Sequence, residues 1–220
     1  MQVELHKLFY TPVWRYQYPD WDKDEEELVR YFAQDEIYIS EREKNGLQIS
    51  RANMHKEPKA KKIADFIQSC AEFTMSEMGY KKECGITSMW STRQRAFGHH
   101  HSHSHANSFL GCAFHLFDID GNASGTVFSN LGTEKYVIQP AISGEKQLML
   151  KPAEMLPFIP GTLLMFPAWA THFTAPTECK YRIIVGANIM PIGMTNKDHF
   201  DRYNYPDPSG LVLKEYSPIS

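Results

Sequence analysis

A chain of 220 residues with 42% hydrophobic, 13% aromatic and 22% charged side chains has the make-up of a globular domain and is too apolar for a disordered one. Its net charge of −3 and lack of a long basic run argue against an electrostatic footprint for nucleic acid, and the one basic cluster, KEPKAKK at 56–62, reads as the solvated start of a helix. No apolar run approaches the roughly 18 residues of a membrane span, the N-terminus lacks the apolar stretch of a secretory signal, and the four cysteines occur singly, so a soluble cytoplasmic protein without a disulfide scaffold is expected.

In chain order, residues 3–10 alternate loosely between apolar and polar and predict a strand halted at Thr11-Pro12. A turn over 18–21 leads into a helix that Asp20 or Asp22 is placed to cap, with acidic residues at 24–27 suiting its positive end and Leu28, Tyr31 and Phe32 forming its apolar side. Residues 37–39 suggest a short strand, and Asn45-Gly46 signals a turn. Pro58 suits the first turn of a second helix, along which Ile63, Phe66, Ile67, Cys70 and Phe73 recur at helical spacing as a core stripe. Strands follow at 84–92 and 109–117. The loop DIDGNASG at 118–125 has the start of a calcium-binding spacing but not its later acidic ligand, and reads as a turn on Gly121 and Gly125. Further short strands are expected at 126–128, 136–139, 147–151, 162–166 and 183–189. Many short strands after a helical start is the pattern of a jelly roll or related barrel, and the length suits one folding unit.

Candidate chemistry concentrates in FGHHHSHSHANS, residues 97–108, which holds five of the ten histidines in seven consecutive positions. Alternate side chains of an extended backbone share a face, so His99, His101, His103 and His105 can lie together and a pair such as His103 and His105 can grip one ion. The competing reading is a polar, solvated loop that binds metal adventitiously. A further ligand is available in PGTLLMFPAWATHF, where His172 follows an apolar run halted by Pro167. Ten residues on, Arg182 leads an apolar strand, a setting in which an unpaired guanidinium is costly and wants an anion.

The order W…HxHxNS…GxxFHL…SGTVF…PGTLLMFPxWxxH…R…N resembles the Fe(II)/2-oxoglutarate-dependent oxygenase superfamily, most closely its small branch typical of bacteria and marine phages and akin to prolyl 4-hydroxylases. The resemblance implies a mainly β fold with flanking helices, a double-stranded β-helix (jelly roll, cupin-like), in a single oxygenase domain over 1–220: supporting helices and strands at 1–80, barrel at 81–190, tail at 191–220. It implies Fe(II) as cofactor and 2-oxoglutarate as cosubstrate, with His103, His105 and His172 on the metal and Arg182 on the far carboxylate of oxoglutarate, by charge-assisted hydrogen bonds. The implied reaction is hydroxylation of a small-molecule or peptide substrate with release of succinate and CO2. Trp90, Trp169 and Asn188 are expected at the substrate pocket, with Phe166 and Phe173 as its dry wall or as plain barrel core.

Two departures from the family pattern bear on this. No Asp or Glu lies between Glu83 and Asp118, so the usual HxD carboxylate is replaced by His105 or by nothing; three-His iron, two-His iron completed by water, and zinc or copper all stay open. Where the branch often has Tyr–Tyr, this chain has Phe114 and His115; His115 either replaces a tyrosine hydroxyl near oxoglutarate or is a plain strand residue. Arg93, Gln94 and Arg95 read as loop decoration in preference to the barrel mouth. The alternatives are a metal-dependent cupin enzyme that does not use oxoglutarate, and a non-enzymatic metal-binding or virion-associated module. The tail 191–220 covers either the barrel end or a neighbouring subunit of a homodimer. A phage-encoded chain would act in the host cytoplasm.

Overall fold

The computed structural model describes residues 10–42, 46–130, 152–176, 178–194 and 212–213. The strands expected at 3–10 (but for Tyr10), 136–139 and 147–151, the Asn45 half of the turn, and nearly all of the tail lie outside the described residues. Two sheets face each other. The larger has seven strands in the order β1 (Trp14–Gln17), β9 (Thr162–Pro167), β6 (Leu110–Asp118), β11 (Tyr181–Pro191), β4 (Cys84–Arg95), β3 (Leu47–Ser50), β2 (Tyr38–Arg42). The smaller has four, in the order β5 (His100–His103), β10 (His172–Thr174), β7 (Thr126–Ser129), β8 (Ala153–Leu156). A short ribbon pairs β12 (Gly193–Met194) with β13 (Val212–Leu213). The described strand pairs are antiparallel, the architecture of a double-stranded β-helix.

Two helices, α1 (Trp21–Phe32) and α2 (Lys61–Glu77), cover the outer face of the larger sheet. The central strands are therefore buried on both faces and read in sequence as unbroken apolar runs. Their side chains nevertheless alternate. On β9, Leu163 and Met165 join the core under the helices while Leu164 and Phe166 point between the sheets. On β11, Ile183, Val185, Ala187 and Ile189 face the helices and Ile184 faces inward, which places Arg182, Gly186 and Asn188 on the inner side with it.

Local expectations differ in four places. Asp20 stands at the N-cap of α1 without a side-chain cap bond. The acid that matters there is Asp24, which accepts from Tyr18 Oη at 2.9 Å and from Lys62 Nζ at 3.0 Å and so ties α1 to α2. Pro58 opens a 3-10 turn, Pro58–Ala60, that runs into α2. The buried face of α2 is Ile63, Ala64, Ile67, Cys70, Ala71, Thr74 and Met75, while Phe73 is 52% exposed and meets Tyr16 edge-on at the rim. Residue 37 ends a 3-10 turn (Asp35–Ile37), so the expected strand starts at Tyr38. All four cysteines are buried free thiols. Among the described residues, no helix is long and apolar enough to cross a membrane.

Candidate metal centre

Antiparallel pairing of β5 with β10 sets His103 directly opposite His172. The chain then turns, and the His105 amide donates to the Ala168 carbonyl at 2.9 Å, which brings a third imidazole to the same point. Ring centroids lie 4.4 Å apart for His103 and His172, 5.0 Å for His105 and His172, and 5.6 Å for His103 and His105. One ring nitrogen from each comes within 4.8 Å of the others.

The three rings are fixed in one tautomer. Nδ1 of His103 bonds the His101 carbonyl at 2.8 Å, Nδ1 of His105 bonds Asn188 Oδ1 at 2.6 Å, and Nδ1 of His172 bonds the Ala170 carbonyl at 2.9 Å. These oxygens can only accept, so each Nδ1 carries the proton and each Nε2 keeps its lone pair. Burial, the largest cause in every case, disfavours the imidazolium: His105 is pushed down to about 4 and His172 to about 3, with His103 also lowered. Two buried imidazoles and one half-buried, all neutral, with ring nitrogens that converge and oxygen partners behind them form a donor set that fits a divalent transition metal. Gly111 leaves room for His105, since a Cβ there would stand 2.7 Å from Nδ1.

The other histidines of the run serve differently. His101 is exposed and contributes its carbonyl, while His100 lines the cleft with its ring 4.1 Å from that of His103. The cleft between the sheets runs from the three imidazoles to a polar end built from Thr92, Gln94, Thr126 and Thr174. Trp90 forms one wall and fits against Gly186, where a Cβ would stand 2.9 Å from the indole.

Behind that polar end lies Arg182, fully buried. Its Nε donates to Gln94 Oε1 at 2.6 Å, its Nη1 to the Ser124 carbonyl and to Ser124 Oγ at 2.6 Å, and its Nη2 to the Ala175 carbonyl at 3.3 Å. Every one of these partners is neutral. No carboxylate among the described residues bonds this guanidinium, and one Nη2 hydrogen has no acceptor there. Burial lowers its pKa to about 10, so it remains charged at neutral pH.

His115 is also fully buried and does not line the cleft. It stacks on Phe158 at 4.5 Å, its Nδ1 accepts from the Ile159 amide at 3.4 Å, and its Nε2 donates to Thr126 Oγ1 at 3.1 Å. Of the two readings for His115, direct contact with a cosubstrate has no geometric support. The ring bonds Thr126, which does line the cleft, and desolvation, reinforced by Arg182 and Arg15, holds it neutral with a pKa of about 3. Asn188, expected at the substrate pocket, instead uses its amide oxygen on His105. Trp169 is 57% exposed and lines a neighbouring aromatic cleft with Tyr80 and Phe109, which meets the metal centre only at His105. Gln94, read from sequence as loop decoration, is a buried strand residue. The signal was present: Trp90, Thr92 and Gln94 sit at alternate positions of β4 and share its inner face.

A second group, Asp118, Asp120 and Cys179, also comes within 4.8 Å. Its carboxylates accept from backbone amides, Asp118 from that of Ala123 within the DIDGNASG turn at 3.0 Å and Asp120 from that of Lys180 at 3.3 Å.

Residues 88–188 match a family model described as putative 2OG-Fe(II) oxygenase. No curated protein matches the chain. Solved structures share the fold at low identity. The non-heme alpha ketoglutarate dependent epimerase SnoN from nogalamycin biosynthesis is 14% identical, with 96% of this chain and 91% of that one covered at a TM-score of 0.60. A prolyl-4-hydroxylase from Pseudomonas putida is 9% identical, with 82% and 93% covered at 0.57. A prolyl hydroxylase from Trichoplax adhaerens is 13% identical, with 80% and 82% covered at 0.53. The segment that carries all three imidazoles, Asn188 and Arg182 is thus the segment that is similar to the 2OG-Fe(II) oxygenase family, within a double-stranded β-helix fold shared with such enzymes.

Proposed function

We propose that the protein is an Fe(II)- and 2-oxoglutarate-dependent dioxygenase that hydroxylates a small-molecule or peptide substrate, with His103, His105 and His172 as its metal ligands. The observation that carries this reading is the set of three imidazoles, each anchored through Nδ1, that converge at one end of a cleft with one ring nitrogen of each within 4.8 Å of the others. Behind the other end stands a buried guanidinium that no carboxylate among the described residues bonds. Held by these imidazoles, ferrous iron with oxoglutarate would supply the oxidising chemistry, one oxygen atom of dioxygen going to succinate with loss of CO2 and the other to the substrate. The chain's own residues bind, orient and shield. Neutral imidazoles leave the metal's full double charge in place, one unit more than a site with a carboxylate ligand, which favours anionic co-ligands. Arg182 attracts the second carboxylate of the cosubstrate toward the polar end, and Trp90 and Phe166, packed against His105, keep water off that ligand. The aromatic cleft of Trp169, Tyr80 and Phe109 reaches His105 from the outside and is the surface along which substrate approaches.

The test is an anaerobic Fe(II) titration in the presence of oxoglutarate, followed by a succinate assay on admission of air. A visible absorbance band that needs both components, and that His172→Ala abolishes, is expected. Tight metal binding with no oxoglutarate-dependent band, and no succinate, would overturn the assignment in favour of a metalloprotein that does not use oxoglutarate.

A further inference from the structure

The polar end of the cleft is wired through one side chain. Gln94, 1% exposed, accepts from Arg182 Nε through Oε1 at 2.6 Å and donates through Nε2 to Thr174 Oγ1 at 2.7 Å. The amide's orientation is not ambiguous, because a guanidinium only donates and so must face the oxygen. Thr174 Oγ1 also accepts from the His100 amide at 2.9 Å. With two donors pointing at it, this hydroxyl has its own hydrogen left, and no acceptor among the described residues takes it. Thr126 is in the same state, since His115 Nε2 donates to its oxygen. Both threonines line the cleft and Arg182 does not.

Resting on the proposed function, we infer that Gln94 is the positioning residue that makes this cleft selective for a dicarboxylate, by holding Arg182 charged but unpaired and turning Thr174 into a hydroxyl donor. Both effects need an amide. A glutamate of the same shape would pair with the guanidinium and cancel the charge on which a diacid depends. Having no hydrogen to give, it would also accept the Thr174 hydroxyl proton and remove that donor from the cleft. Exchanging one NH2 for one oxygen therefore reverses the polarity of two groups without changing the volume of the site.

The experiment compares Gln94→Glu with Gln94→Met on the full chain loaded with Ni(II), measuring melting temperature, nickel affinity and oxoglutarate affinity by calorimetry. Gln94→Glu is expected to keep wild-type nickel affinity and to melt no lower than wild type, while its oxoglutarate affinity falls at least tenfold. Gln94→Met, which leaves Arg182 charged, is expected to lose less oxoglutarate affinity than Gln94→Glu although it melts lower. A merely structural role predicts the opposite order, with the methionine variant the worse binder. That order, or oxoglutarate affinity unchanged in Gln94→Glu, overturns the role of Gln94 alone. Wild-type protein that takes up nickel but no oxoglutarate overturns the proposed function and the role of Gln94 with it.

Discussion

Asn188→Ala tests whether the metal centre is built as its hydrogen bonds indicate. Asn188 lies on the inner face of β11, its backbone is held in the ladder opposite Gly111 and Ser88, and its side chain makes a 2.6 Å bond to His105 Nδ1. Truncation leaves the ladder intact and removes only that acceptor. Two consequences follow. His105 is 9% exposed, so its Nδ1–H is left buried without a partner, a cost of about 1–3 kcal/mol in stability. The ring also loses the tautomer lock that keeps Nε2 a lone-pair donor, and loss of such an outer partner lowers metal affinity by roughly 10–100-fold. Asn188→Asp should act in the opposite sense. A carboxylate behind the imidazole raises its basicity and supplies part of the negative charge that the missing HxD carboxylate would have brought, so metal binds at least as tightly as in wild type. Calorimetric titration of all three proteins with Ni(II) or Co(II) at pH 7.5, a pH taken as about one unit above the ordinary histidine range, reads both. Equal affinity for wild type and Asn188→Ala would refute the placement of His105 on the metal.

Removing Arg182 tests the diacid role. Arg182→Met leaves Gln94 Oε1, Ser124 Oγ and two carbonyls without their donor, so it melts lower, and its oxoglutarate affinity drops by about 1.5–3 kcal/mol, the worth of a charge-assisted hydrogen bond; unchanged affinity would remove the diacid role. Acid should destabilise the metal-free protein through its buried neutral histidines. The unfolded chain takes up protons on these residues below about pH 6.5 while the folded one refuses them until about 4 for His105 and about 3 for His115 and His172. Stability is thus fully present above the unfolded value and is lost as pH falls, by about 2 kcal/mol per histidine between pH 6.5 and 5. Urea midpoints at the two pH values measure it, and His115→Leu should remove one share of the slope. Gly111→Ala forces a methyl to 2.7 Å from His105 Nδ1, so it should weaken metal binding, while Gly79→Ala, whose Cβ meets nothing within 4 Å, should leave it unchanged; equal effects would refute the close-approach argument.

Much of this protein can be read from residue order. The spacing of His103, His105, His172 and Arg182 survives in one dimension because each sits on or beside a short strand, and strands carry ligand patterns as simple alternation. The helical stripe of α2 was legible for the same reason, save for Phe73, whose phase lies at the edge of the buried face. The sequence by itself therefore determined most of the described element types and singled out the three histidines that the fold brings together. It did not determine what stands behind those side chains. Asn188 locks His105 across 83 residues, Gln94 holds Arg182 across 88, and His115 orients Thr126 from the facing sheet. Only the antiparallel register of β4, β6 and β11 decides which polar side chain meets which. Register is a long-range property of the closed barrel, because a slip of one residue would turn every one of these groups to the opposite face.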